Sequence, residues 1–107
     1  MAYDPTEKDL HPAEASSGAP GIIFHLPSRR RYIPYAWLLY ADMNREGTEI
    51  QFHFTHSMVA VTGTDLEPLH DWVSESKLGA VRESPPSLSS SRYPIVRRIE
   101  ISEKTGE

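Results

Sequence analysis

The sequence predicts an α+β fold: a curved, mostly antiparallel β-sheet of four to six strands packed against one amphipathic α-helix at about residues 65–78. Three observations predict it. Short β-rich runs bounded by turn residues recur along the chain. One of them, Thr48–Phe54, places Ile50, Phe52 and Phe54 on one face and Gln51, His53 and Thr55 beyond it on the other. That period of two marks a half-buried antiparallel strand. A single later segment carries Leu66, Leu69, Trp72 and Val73 at spacings of three and four, which gives a helix one apolar face.

Residues 1–20 hold three prolines, four alanines and few large apolar groups. Such a segment cannot offset its ordering entropy by burial, so a disordered acidic tail is expected there. A single α+β domain is expected over 21–102. Ile22–Leu26 reads as its first strand, closed by Pro27. Tyr35–Asp42 reads as the next, and Asn44-Arg45-Glu46-Gly47 as the turn leading into Thr48–Phe54. Met58–Thr62 completes a three-stranded meander that Gly63 ends. Thr64-Asp65-Leu66-Glu67 has the spacing of a capping box, Pro68 falls in the first turn, and Gly79 suits a C-cap. The helix is expected to bury Leu66, Leu69, Trp72 and Val73 against Phe52, Phe54, Val59 and Val61. Ala80–Arg82 can form a short strand, 83–92 is a Ser/Pro-rich loop, Tyr93–Ser102 reads as the last strand, and 103–107 as a flexible C-terminus.

The net charge of −4 belongs to the ends of the chain. Residues 1–20 have four acidic groups and one lysine, and 102–107 have two and one, while 21–101 balance nine against nine. A neutral centre lacks the basic excess of most nucleic-acid binders. The chain has no cysteine, which excludes disulfides, thiolate metal sites and a cysteine nucleophile. No secretory signal is visible at the N-terminus and no apolar run approaches a membrane span, so a cytoplasmic protein without membrane attachment is expected.

Three histidines, His53, His56 and His70, fall close together with Asp65 and Asp71. Their spacing matches no familiar zinc pattern. Strand, turn and helix positions would also point them in different directions, so a metal-dependent enzyme built on them is the least favoured reading. The helix carboxylates are accounted for by capping, dipole and solubility, and no Gly-rich phosphate loop or nucleophile elbow is present. No catalytic residue, metal or cofactor is expected.

The cluster in Ser28–Tyr40 is harder to assign to folding alone. It holds three arginines, three tyrosines and a tryptophan. As a strand, Tyr35–Tyr40 would be apolar on both faces. A central strand covered twice, a subunit interface and a stacking platform for single-stranded nucleic acid all fit that pattern. The surface expected to carry function comprises Arg29, Arg30, Arg31, Tyr35, Trp37, Tyr40, Arg97 and Arg98. The favoured function is a small non-catalytic interaction or assembly module with a protein partner, self-associating as a dimer or larger homo-oligomer. A single-stranded nucleic-acid-binding domain is the alternative, possible on its ingredients but not favoured on charge.

Overall fold

The computed structural model of the chain describes residues 11–86 and 93–104. Among these residues it is an α+β fold with eight strands in two mostly antiparallel sheets and one α-helix. The strands are β1 (Ala13–Ala15), β2 (Gly21–His25), β3 (Arg30–Pro34), β4 (Leu38–Met43), β5 (Glu49–Phe54), β6 (Ser57–Thr64), β7 (Leu78–Arg82) and β8 (Ile95–Glu103). Helix α1 spans Glu67–Ser74. The first sheet has the order β1-β7-β2-β3, and the second β4-β5-β6-β8. Among the described residues only the β2–β7 pairing is parallel.

The expected class stands, but the predicted single sheet is two. Phe24, on the inner face of β2, is fully buried. Its ring meets Phe52 and Phe54 of β5 edge-on, with centroids 5.5 and 6.2 Å away. The apolar face of the meander is therefore covered in large part by a second sheet. Ile22, Phe24, Ile33 and Val81 of the first sheet join Ile50, Phe52, Phe54, Val59, Val61 and Ile99 of the second in one buried cluster. Helix α1 closes a side of this core with Leu66, Leu69 and Val73, packing on β4 and β7.

Several local predictions differ from the structure. Arg30–Pro34 form a strand not among those expected, and Glu103, expected in a flexible C-terminus, ends β8. Three further differences concern the N-terminal segment, the helix and Tyr35–Tyr40. Residues 13–15 were expected in a disordered tail, yet they form β1 against β7, with Ala13 and Ala19 buried. Small side chains suffice here because the strand is held by its ladder rather than by bulk. Residues 1–10, 87–92 and 105–107, with the calls made on them, lie outside the described residues.

The helix is also shorter than 65–78. Asp65 has a φ of 56° and Leu66 is the N-cap, with no side-chain capping bond, so the Thr64–Glu67 box does not form. Thr64 is instead the last residue of β6. At the other end Ser76, with a φ of 57°, occupies the left-handed position expected of Gly79. The Lys77 amide donates to the Trp72 carbonyl at 2.8 Å and the Ser76 amide to Val73 at 3.1 Å. That pair of bonds is a Schellman closure, and it frees Leu78 to begin β7.

The third difference concerns Tyr35–Tyr40. Tyr35–Trp37 is a single 3₁₀ turn, and β4 starts at Leu38. A register shift between Leu38 and Tyr40 then leaves Leu39 without a cross-strand partner. Turn and bulge together resolve the doubly apolar strand that the sequence implied, since alternation is broken twice within six residues.

His11 anchors the entry to β1. Its ring stacks on Trp72 of α1 at 5.6 Å and lies 5.0 Å from Tyr93, while Nδ1 accepts the Ala13 amide at 3.2 Å. Burial lowers its pKa from the ordinary 6.5, and the Arg82 charge acts in the same direction. The folded state thus binds the proton more weakly than the unfolded chain. Stability supplied by neutral His11 is complete above about pH 6.5 and is lost as the pH falls below it. Urea titrations between pH 7.5 and 5 should show this loss in the native chain and a smaller one in His11→Phe. Equal pH slopes for both proteins would refute the assignment.

Candidate interaction surface

The structure divides the residues singled out in the sequence into separate places. Tyr35 is structural. Its hydroxyl donates to the Leu78 carbonyl at 2.6 Å, tying the 3₁₀ turn to β7, and burial pushes its pKa up to about 12. Arg29, Arg30 and Arg31 lie at and beyond the β2–β3 hairpin on the first sheet. Leu26 N–H donates to Arg29 O at 2.7 Å, so Pro27 and Ser28 alone form the loop. Arg31 is paired with Glu103 of β8 at 3.0 Å across the margin of the two sheets. Arg97 and Arg98 stand on β8, where Arg98 is paired with Glu100.

Arg98 cannot join Tyr40 in one patch. Following the ladders, Tyr40 lies opposite His53, His53 opposite Met58 and Met58 opposite Ser102. Arg98 is four residues further along β8 from that row. The separation is roughly 14 Å across the strands and roughly 14 Å along them. The continuous basic and aromatic sheet face required for a stacking platform is therefore broken up.

Trp37 and Tyr40 do come together, and Leu39 joins them. These are three of the four large apolar side chains exposed among the described residues, at 46% for Trp37, 58% for Leu39 and 52% for Tyr40. The bulge is what exposes Leu39. With regular alternation it would point opposite to Tyr40, towards the buried side. Nothing in the sequence marks that insertion, so Leu39 is not legible as a surface residue before folding.

The histidines serve this margin. His53 stacks flat on Tyr40, with centroids 4.4 Å apart and planes at 21°. His56 meets Trp37 at 5.2 Å and 80°. His70 Nε2 donates to the Ala41 carbonyl at 3.0 Å. Among the described residues no group of three metal-ligating side chains converges. Each ring instead props an aromatic side chain or closes the edge of β4.

Between β4 and α1 runs a groove of about 230 Å³ lined by Leu38, Leu39, Tyr40, Ala41, His70 and Val73, with Ser74 at its rim. The bond from His70 takes up an edge carbonyl of β4, so a further strand cannot simply extend the second sheet here. The margin offers side-chain packing instead: a row of protruding apolar groups beside a shallow apolar slot. No family, curated protein or solved structure gives a match to this chain.

Proposed function

We propose that the protein is a non-catalytic assembly module whose copies join through the β4 margin. The observation that carries this reading is the exposed row of Trp37, Leu39 and Tyr40 beside the slot between β4 and α1. A protruding Leu39 adjacent to an apolar slot is self-complementary: under a two-fold axis the leucine of each copy enters the slot of the other. Tyr and Trp suit such a contact, since they bury large area at small entropic cost. His53 and His56 restrict the two rings before contact, which lowers the ordering cost of association.

Light scattering after size exclusion, over a wide concentration range, tests the proposal. The native chain should reach twice its 12.1 kDa mass. Leu39→Asp should raise the dimer dissociation constant at least about thirtyfold, the ~2 kcal/mol of an interface hot spot. Its circular dichroism should stay native, because the side chain is exposed. A native chain that remains monomeric at high concentration, or a Leu39→Asp variant of unaltered mass, would remove the proposal.

A further inference from the structure

The outer strands of the two sheets differ in how their free backbone groups are satisfied. The two sheets have four outer strands. On β4, His70 occupies the Ala41 carbonyl. On β8, the Glu83 carboxylate accepts the Ile99 amide at 3.1 Å, and Ser84 exchanges bonds with Val96 through its amide and its hydroxyl. Strand β1 has three residues and a register shift within them. Each of these edges is closed or too short to template a partner.

Strand β3 is different. The Leu26–Arg29 bond sets the hairpin register, so Phe24–Arg31 and Ile22–Ile33 are the pairs that exchange hydrogen bonds. Arg30 and Tyr32 then direct their N–H and C=O groups away from β2, and Pro34 adds a carbonyl. No described residue bonds to these groups. The side chains of Arg30 and Tyr32 stand together on the outer face of the sheet, opposite His25 and Ile23. The Tyr32 ring lies directly over Gly21, where an added Cβ would come within 2.7 Å of it. That ring walls one side of a hollow of about 270 Å³, shared with Ala19, Ile23 and Ala80. Arg31, by contrast, is already neutralised by Glu103. Among the described residues neither Arg29 nor Arg30 has a carboxylate partner, although both are exposed.

We propose that β3 binds an extended acidic peptide segment of another protein as a fifth strand of the first sheet. The open row of backbone groups supplies the ladder. The unpaired charge of Arg30, with Arg29 beside it, selects a carboxylate on the incoming strand. Tyr32 and its hollow select an apolar side chain two residues from that carboxylate, because positions i and i+2 share a face. The recognised pattern is therefore an acidic and an apolar residue separated by one residue, in an extended conformation, with their order set by whether the added strand runs parallel or antiparallel to β3.

The test uses the full chain and short fluorescein-labelled peptides of serine and threonine. Two peptides are used, each with one glutamate and one valine two residues apart, glutamate first in one for parallel addition and valine first in the other for antiparallel addition. Anisotropy should show saturable binding of at least one. Arg30→Glu should weaken it at least tenfold, and a peptide with lysine in place of the glutamate should regain the lost affinity with that variant. Trp37→Ala, on the other surface, should leave binding unchanged. In amide exchange followed by NMR, the N–H groups of Arg30 and Tyr32 should become protected when peptide is added. Several results overturn the proposal: no binding at millimolar peptide, equal affinity for the glutamate and lysine peptides, or binding without protection of those two amides. Capture of oligothymidylate in place of the peptide, or occupation of β3 by a second copy of the chain, would also overturn it. If Arg29 and Arg30 serve only to keep the edge solvated, the first of these results will be seen.

Discussion

Gly63→Ala should destabilise the protein by about 3 kcal/mol, a large fraction of the stability of a chain of this size. A Cβ built on Gly63 would stand 1.8 Å from the Ile95 carbonyl oxygen and 2.9 Å from its carbon. Both obstacles are backbone, so no side-chain rotation relieves them. The close approach arises where the β6–β8 ladder shifts register, between Thr62 and Gly63. Relief requires β8 to move away at Ile95, and the neighbouring Ile95, Val96 and Ile99 are all buried. Urea denaturation of native and variant chains measures the loss. A shift below about 1 kcal/mol would show that β8 can yield at low cost and that the close approach is not a constraint.

The second large effect is expected at the join of the two sheets. Phe24→Ala should cost about 4 kcal/mol. The ring is fully buried and touches both aromatic rings of β5, so its removal leaves a cavity between two sheets rather than a notch at a surface. A double-mutant cycle of Phe24 and Phe52 should give a coupling of about 1 kcal/mol, beyond the cost of each cavity alone. Additive losses would mean that the two sheets respond independently and that the edge-on ring contact contributes little.

Much of the architecture was legible from residue patterns. The alternation of Ile50, Phe52 and Phe54 identified β5, and all three are fully buried. The spacing of Leu66, Leu69, Trp72 and Val73 identified the apolar face of α1, although only Leu66, Leu69 and Val73 are buried and Trp72, stacked on His11, is partly exposed. Strand β3 is obscured in the sequence by Arg29–Arg31, which reads as a solvated charge cluster. The signal was present nonetheless: Pro27-Ser28 is a two-residue loop between runs that pair one for one, with Ile22 opposite Ile33. The candidate surface was legible in part. Trp37 and Tyr40 were found by their type, whereas Leu39 and Tyr32 needed the fold. Tyr35, chosen for the same reason as Trp37, was committed to Leu78.

By itself the sequence determined the α+β class, the meander β4–β5–β6 and the amphipathic helix, because each depends on side-chain periodicity along a short stretch. Tertiary structure alone decided that the strands divide into two sheets, that a bulge exposes Leu39, and which sheet edges are closed. Those outcomes depend on long-range pairing: β1 with β7, β2 with β7, β6 with β8, and the polar groups of His70, Glu83 and Ser84 reaching edge atoms of distant strands. Periodicity tells a residue which side of its own strand it occupies. It carries no information about which strand lies alongside, and in this protein the two surfaces proposed for binding are set by that second choice.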